Sequence, residues 1–236
     1  MADREMYLTR ISSYVKPDFE LERKFFKPSD SLMKKFDSNN CFKQYYGDTL
    51  VFDFDWEDNF WFNCIVNRLY EEVPECFSAR LGEGTLHVTL HDLSSGTDCE
   101  KVEQLVKQNR KQIKKVLKLA HISPMKIRMK TRYIANSCNT SLIYVLVPAN
   151  EKEYLKLMTL YHVFDAVQEL DYCYTPHITL GYFNTNGFDV QSVEKLEKIV
   201  RELNNDSYEF VLSTDKLFYA IFKSMNEYKY VRKLIK

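Results

Sequence analysis

Glycine, proline and long apolar runs are scarce in this sequence, and each scarcity excludes a class of protein. Six glycines and six prolines among 236 residues are too few for a low-complexity or largely disordered chain. No apolar run approaches the roughly 18 residues that a membrane-spanning helix needs. The N-terminal stretch MADREMYLTR also lacks the apolar segment of a secretory signal. We therefore expect a globular, cytoplasmic protein without a membrane partner.

Paired cysteine spacings are also missing. The six cysteines are scattered and form no Cys-x-x-Cys pair, so we interpret them as reduced thiols rather than as a zinc knuckle or a disulfide framework. Aromatic residues, in contrast, are abundant, with 16 Phe and 16 Tyr. A chain of this length and composition is expected to form one domain, or two lobes of one unit, around a large core.

The chain has a formal net charge of zero, but its positive and negative residues are unevenly distributed along the sequence. Between Lys101 and Arg132 there are eleven Lys or Arg residues and a single acid, Glu103, so that this stretch carries +10 and the remainder of the chain −10. Such a polarised protein can steer an anionic ligand towards one surface. The neutral total argues against a protein that coats long duplex nucleic acid by neutralising its phosphates.

A short pattern that occurs twice is the most informative feature of the chain. One copy reads LHVTL at 86–90 and the other PHITL at 176–180, which places the two histidines 90 residues apart. On a β-strand, the His and Thr of each copy point to one face and the apolar residues to the other. Two such strands that face one cleft would surround a small anion with two imidazoles and two hydroxyls.

These four side chains suit acid–base chemistry at a phosphate. An imidazole pKa near 6.5 allows one ring to act as a neutral base and the other as a charged acid, and hydrolysis of a phosphodiester needs both. Threonine hydroxyls can donate to the phosphoryl oxygens as charge builds on them. The candidate catalytic residues are His87, Thr89, His177 and Thr179. A third copy of the shorter pattern, at 121–123, is followed at once by a proline, and we interpret it as a loop or helix cap.

The two motifs resemble the paired motifs of the 2H phosphoesterase superfamily, which includes bacterial RNA 2′,3′-cyclic phosphodiesterases. The resemblance covers residues from about 45 to 236, and its specific content is confined to the two motifs and their spacing. It implies an α/β (α+β) bilobal, duplicated fold, in which two antiparallel-rich sheets line a central cleft and helices lie outside. It also implies metal-independent phosphodiester chemistry by the four motif residues.

The order of predicted elements agrees with a duplicated unit, because strand, helix, motif strand and helix follow one another in both halves. We divide the chain into an extension at 1–44, which packs on the main domain, and a 2H phosphoesterase-like domain at 45–236. Its lobes are placed at approximately 45–135 and 136–236. The extension has no counterpart in the resemblance.

Further residues are candidates for binding the substrate. His91 follows Thr89 by two positions, so it shares the cleft-facing side or is simply a polar residue at a strand end. Lys130 and Arg132 belong to an alternating basic row that forms either a cationic wall of the cleft or a solvated edge strand. Tyr174 and Tyr182 flank the second motif and offer faces for base stacking or for core packing. Tyr182 is expected on the opposite side of its strand unless the strand bulges.

The sequence favours a metal-independent phosphodiesterase that acts on a nucleotide or an RNA end, with a 2′,3′-cyclic phosphate among the candidate bonds. No cofactor and no metal are expected, and we expect a monomer. A nucleotide- or RNA-binding module without turnover remains an alternative, as does RNA-end ligation. A zinc site on His87, His91 and His177 and a purely structural role of the histidines are further alternatives.

Overall fold

Helices and antiparallel strands alternate along the chain in the computed structural model, which describes residues 2–14, 21 and 24–235. Residues 1, 15–20, 22 and 23 of the predicted extension lie outside the described residues. The helices are α1 (Ala2–Tyr14), α2 (Trp56–Glu72), α3 (Cys99–Leu119), α4 (Glu151–Val163) and α5 (Val190–Leu203). The strands are β1 (Tyr46–Phe52), β2 (Val88–Gly96), β3 (Lys126–Ser137), β4 (Ser141–Pro148), β5 (His177–Tyr182), β6 (Glu209–Ser213), β7 (Leu217–Ser224) and β8 (Glu227–Lys233).

Side-chain caps fix where α3 and α5 begin. Asp98 accepts a hydrogen bond from the backbone N–H of Lys101 at the start of α3, and Asp189 accepts one from Ser192 at the start of α5. Both helices are strongly amphipathic, with one apolar stripe buried and the opposite face exposed. A helix with one apolar stripe is stable only when that stripe is covered, and here α3 packs on sheet strands and α5 on α2.

The strands form two four-stranded sheets, each entirely antiparallel. Sheet A has the order β2-β1-β7-β8, and sheet B has the order β5-β4-β3-β6. Helix α3 covers β1 and β2, α4 covers β3 and β4, and α2 packs against β5 and α5. The predicted fold class is therefore confirmed: two antiparallel sheets with helices outside them.

The two sheets divide the chain differently from the predicted lobes. The boundary at 135–136 falls inside β3, whose hairpin with β4 keeps 126–148 in sheet B. Cys138 and Asn139 adopt left-handed backbone conformations in the tight turn of this hairpin. After β6 the chain returns to sheet A, where β7 pairs with β1 and β8 completes the edge. Sheet A is therefore built from both ends of the domain.

The described parts of the extension pack on sheet B and on the rim of the molecule. Tyr7 and Ile11 of α1 are buried in a small apolar cluster with Tyr133, Val145 and neighbouring sheet B residues. Further along, Phe26 stacks on Phe188 with ring centroids 4.4 Å apart. The extension is thus anchored on sheet B through α1 and on the segment after β5 through Phe26.

Two smaller findings complete the description. All six cysteines have free thiols, as predicted. Among the described helices, none combines the length and the apolar character required to cross a lipid bilayer.

Ile11→Ala is expected to lower the free energy of unfolding by about 2–3 kcal/mol, because it removes a fully buried side chain and leaves a cavity. Met6→Ala in the same helix is the matched control, since Met6 is 63% exposed. Urea denaturation of both variants measures the difference. Equal stabilities of the two variants would show that α1 contributes no packing energy.

Candidate active site

The two motif strands are brought together at the junction of the sheets. Strand β2 is an edge strand of sheet A and β5 an edge strand of sheet B, and the two strands contact each other. In both motifs the apolar residues are buried, whereas His87, Thr89, His177 and Thr179 are half-buried. All four side chains line one cleft with a volume of about 450 Å³. The predicted convergence of the two motifs is thus present in the structure.

Each motif histidine is oriented by the same backbone hydrogen bond. His87 Nδ1 lies 2.7 Å from the carbonyl oxygen of Thr85, and His177 Nδ1 lies 2.8 Å from that of Thr175. Because a carbonyl oxygen only accepts, the Nδ1 atom of each ring carries a proton and donates it. In the neutral ring Nε2 is consequently the unprotonated nitrogen, available as a base.

Strand β2 contains a β-bulge directly after its motif threonine. Thr89 lies opposite Val51 and His91 lies opposite Leu50, so two steps along β2 match one step along β1. Leu90 is the extra residue. A bulge of this kind reverses the alternation of side chains beyond it. His91 is therefore turned away from the cleft.

Strand β5 has a bulge at the equivalent position. Thr179 lies opposite Ile143 and Gly181 lies opposite Leu142, which makes Leu180 the extra residue. Gly181 therefore faces the interior rather than the cleft. An added Cβ there would lie 3.0 Å from the ring of Phe77 and from the hydroxyl of Tyr70, so the packing leaves no room for a side chain.

The paired bulges bring a later residue of each strand into the cleft. Asp92 in β2 and Tyr182 in β5 occupy matching positions, five residues after the histidine of their motif, and both line the cleft. Asp92 accepts a hydrogen bond of 2.6 Å from the hydroxyl of Tyr172. The two halves of the cleft are thus similar at the His–Thr pairs and different beyond them.

Burial lowers the pKa of His87 below its ordinary value. The neighbouring imidazole of His177 lowers this pKa further, whereas the hydrogen bond to Thr85 and the carboxylate of Asp92 raise it in part. Tyr228 of β8 lies against the ring, with centroids 4.9 Å apart. The neutral form of His87 is therefore favoured at neutral pH.

His91 does not line the cleft, although it borders the adjacent, smaller pocket. It is 1% exposed, its Nδ1 lies 2.8 Å from the carbonyl oxygen of Asp92, and its Nε2 lies 3.2 Å from Asp165. Its ring also stacks on Tyr161. Both ring nitrogens are occupied, so the alternative of a zinc site on His87, His91 and His177 fails on geometry. Within the ranges that the structure describes, no group of three or more His, Cys, Asp or Glu side chains is arranged for a metal ion.

Lys130 and Arg132 do not line the cleft either. Lys130 pairs with Glu209 at 2.6 Å, and Arg132 donates to the hydroxyl of Ser12 at 2.8 Å. The basic row therefore forms no cationic wall. Its side chains are exposed or half-buried, as the second interpretation expects, but β3 lies inside sheet B between β4 and β6 rather than at an edge. Lys130 and Arg132 contact acidic and polar groups outside the cleft.

The two candidate tyrosines lie in different places. Tyr182 lines the cleft because of the bulge, and its hydroxyl donates to the sulfur of Met225. Tyr174 is buried, and its hydroxyl donates at 3.1 Å to the backbone carbonyl of Thr89. Tyr174 also stacks on Tyr161 and lines an adjacent pocket of about 260 Å³. It therefore stabilises the backbone of the first motif through this hydrogen bond.

Sequence reasoning missed several cleft residues, notably Lys35, Tyr45, Asp92, Tyr172 and Tyr228. Aligning the two motifs would have paired Asp92 with Tyr182. The extra residue in each strand, however, leaves no mark in the hydrophobic pattern. Lys35, Tyr45 and Tyr228 come from distant segments, and their place depends on tertiary packing.

No protein-family model matches the chain, and no curated protein matches it. Several solved structures, however, are similar to the chain. The chain is similar to the conserved protein of unknown function ATU0111 from Agrobacterium tumefaciens str. C58, with a TM-score of 0.62 and 16% identity, over 87% of this chain and 92% of that chain.

Two other solved structures are more distant. The apo form of E. coli LigT has a TM-score of 0.47 and 12% identity, over 80% of this chain and 96% of that chain. TT0787 of Thermus thermophilus has a TM-score of 0.46 and 14% identity, over 78% of this chain and 94% of that chain. The solved structures found also include one described as a phosphoesterase, with a TM-score of 0.44 and 11% identity, over 80% of this chain and 94% of that chain. At such identities a likeness concerns the fold, and the chemistry follows from the cleft's own side chains.

We expect the pKa of His87 to respond in opposite directions to two substitutions. His177→Ala removes an imidazole that lowers the pKa, so the pKa should rise towards its ordinary value. Asp92→Asn removes a carboxylate that raises it, so the pKa should fall further. NMR titration of the His87 imidazole measures both shifts. Shifts of the same sign would contradict the electrostatic description of the cleft.

Proposed function

We propose that this protein is a phosphodiesterase that hydrolyses a phosphodiester of a nucleotide or an RNA end, with a 2′,3′-cyclic phosphate as the first bond to test. One observation carries the proposal: two His–Thr pairs from different sheets line a single cleft, and each imidazole is held by the same Nδ1–carbonyl hydrogen bond. Two oriented imidazoles and two hydroxyls are the groups that such a hydrolysis requires.

The electrostatics of the cleft favour His87 as the general base. Its neutral ring, with Nε2 unprotonated, takes a proton from a water molecule, whose oxygen forms a bond to phosphorus. The bond from phosphorus to the leaving oxygen breaks, and His177, in its charged form, gives that oxygen a proton. The hydroxyls of Thr89 and Thr179 donate to the non-bridging oxygens, where negative charge builds.

The adjacent pocket supports a ligand with a flat organic part. It shares Thr89 and His177 with the cleft, and its walls include the rings of Tyr161, Tyr172 and Tyr174. A phosphate held at the His–Thr pairs would therefore leave its organic substituent next to aromatic surface. Stacking of a base on an aromatic side chain contributes about 1–3 kcal/mol, which favours a nucleotide over an aliphatic phosphodiester.

Substitution of either histidine by alanine is expected to lower kcat at least about 100-fold, because each removes a proton-transfer group. Thr89→Val and Thr179→Val should each lower kcat by about 10²-fold through loss of a donor to the phosphoryl group. The assay measures hydrolysis of the four nucleoside 2′,3′-cyclic phosphates, and circular dichroism checks that the variants fold.

His121→Ala is the matched control, since His121 belongs to the third His-x-Ser copy and lies exposed after α3. Its kcat should equal that of the wild-type protein. Tight nucleotide binding without product in any of these substrates would instead identify a binding module. Equal losses in the His121, His87 and His177 variants would contradict the proposed roles.

Hydrolysis is also expected to persist after exhaustive dialysis against EDTA, because the proposed chemistry uses two imidazoles for both proton transfers. The measurement compares initial rates before and after dialysis, with and without added Zn²⁺ or Mn²⁺. Loss of the rate on dialysis and its recovery with either metal would replace the two-histidine mechanism by a metal-assisted one.

A further inference from the structure

The charges that line the cleft are few and unevenly placed. Among the described residues of its wall, Lys35 is the sole lysine or arginine, and Asp48 and Asp92 are the carboxylates. Asp48 is 1% exposed, and its oxygens accept from Tyr219 and Asn109. An anionic substrate therefore finds its fixed cation at Lys35.

Lys35 belongs to the predicted extension, and its backbone is held firmly. Its N–H donates to the carbonyl of Leu32 at the end of a short 3₁₀ turn, and its carbonyl accepts from the N–H of Lys43. The next residue, Phe36, is fully buried and packs against the rings of Phe42 and Tyr182. The Lys35 side chain therefore starts from a fixed point on the cleft rim.

The Lys35 ammonium lies over two aromatic rings rather than against a carboxylate. Its Nζ is 5.1 Å from the ring centroid of Tyr182 and 5.5 Å from that of Tyr45. In the part of the chain that the structure describes, it takes part in no ion pair. Aromatic faces position a cation without neutralising it, so its charge stays available to a ligand.

The position of Lys35 breaks the symmetry of the cleft. Tyr182, beneath its ammonium, matches Asp92 on the other strand, where Tyr172 caps the carboxylate. One end of the cleft is thus cationic and the other anionic. Because of the bulge, Tyr182 and Thr179 lie opposite Ser141 and Ile143, two residues apart on β4, which is roughly 7 Å along the strand. Lys35 accordingly lies beside the His–Thr pairs rather than between them.

We propose that Lys35 binds a phosphate group of the substrate outside the scissile bond, so that the extension selects nucleotides or RNA ends with a second phosphate. This inference rests on the proposed function, because it takes the His–Thr pairs as the place of the reacting phosphoryl group. A charge-assisted hydrogen bond from an ammonium to this phosphate would give the selectivity.

The experiment compares binding of adenosine 3′-phosphate and adenosine 3′,5′-bisphosphate by isothermal calorimetry, so that it requires no turnover. The wild-type protein should bind the bisphosphate about tenfold more tightly. Lys35→Gln should abolish this preference, and Lys35→Arg should retain much of it. Lys34→Gln is the matched control, because Lys34 is exposed in the same turn and does not line the cleft. It should retain the full preference.

The outcomes separate this inference from the proposed function. If Lys35→Gln loses the preference for the bisphosphate and Lys34→Gln keeps it, the role of Lys35 is supported, even if no cyclic nucleotide is hydrolysed. Equal wild-type affinities for the two ligands overturn it, while hydrolysis of a cyclic nucleotide would leave the proposed function intact. Equal weakening of both ligands by Lys35→Gln also overturns it, because Lys35 would then contact the reacting phosphate. If neither adenosine 3′-phosphate nor adenosine 3′,5′-bisphosphate binds, this inference and the proposed function are both overturned.

Discussion

The hydrogen bond from each motif imidazole to a backbone carbonyl is the constraint on which the rest of the site depends. It fixes both the orientation of the ring and its tautomer, because Nδ1 donates to the carbonyl. Nε2 is therefore the nitrogen of His87 and of His177 that is left for proton transfer. The carbonyl belongs in each case to the residue two positions earlier, so each motif orients its own ring. The two sheets then need only bring their edge strands together for two prepared imidazoles to share a cleft.

The matching bulges at Leu90 and Leu180 determine which side chains beyond the two motifs line the cleft. Without the extra residue, His91 and Gly181 would face the cleft. With it, Asp92 and Tyr182 do, and these two differ in charge and in neighbours. The cleft thereby has two chemically distinct ends, although the His–Thr pairs of its two halves are alike. That difference can assign separate roles to two nearly identical histidines.

Local patterns predicted much of the fold, and tertiary context explains what they missed. The predicted order of strands and helices could be read from local signals, because α3 and α5 have side-chain caps and amphipathic stripes that lie within their own sequences. The strand alternation placed the four motif side chains on one face, as observed. Strand β8 lacks such a signal, because its sequence EYKYVRK is largely polar and its residues are half-buried or exposed. Three features depend instead on contacts between distant segments. They are the direction of the side chains beyond the bulges, the position of β3 inside sheet B, and the place of Lys35 at the cleft.

The return of the chain to sheet A has a consequence for how the protein is made. Strand β7 joins β1, and β8 joins β7, only after more than 200 residues have been synthesised, and β8 contributes Tyr228 beside His87. Contacts so distant in sequence form late, since the loop between them must close first. On the ribosome, the hairpin of β3 and β4 can assemble early, whereas β1 waits for its partner with one edge open. The nascent chain therefore carries an incomplete pocket until its last strands emerge.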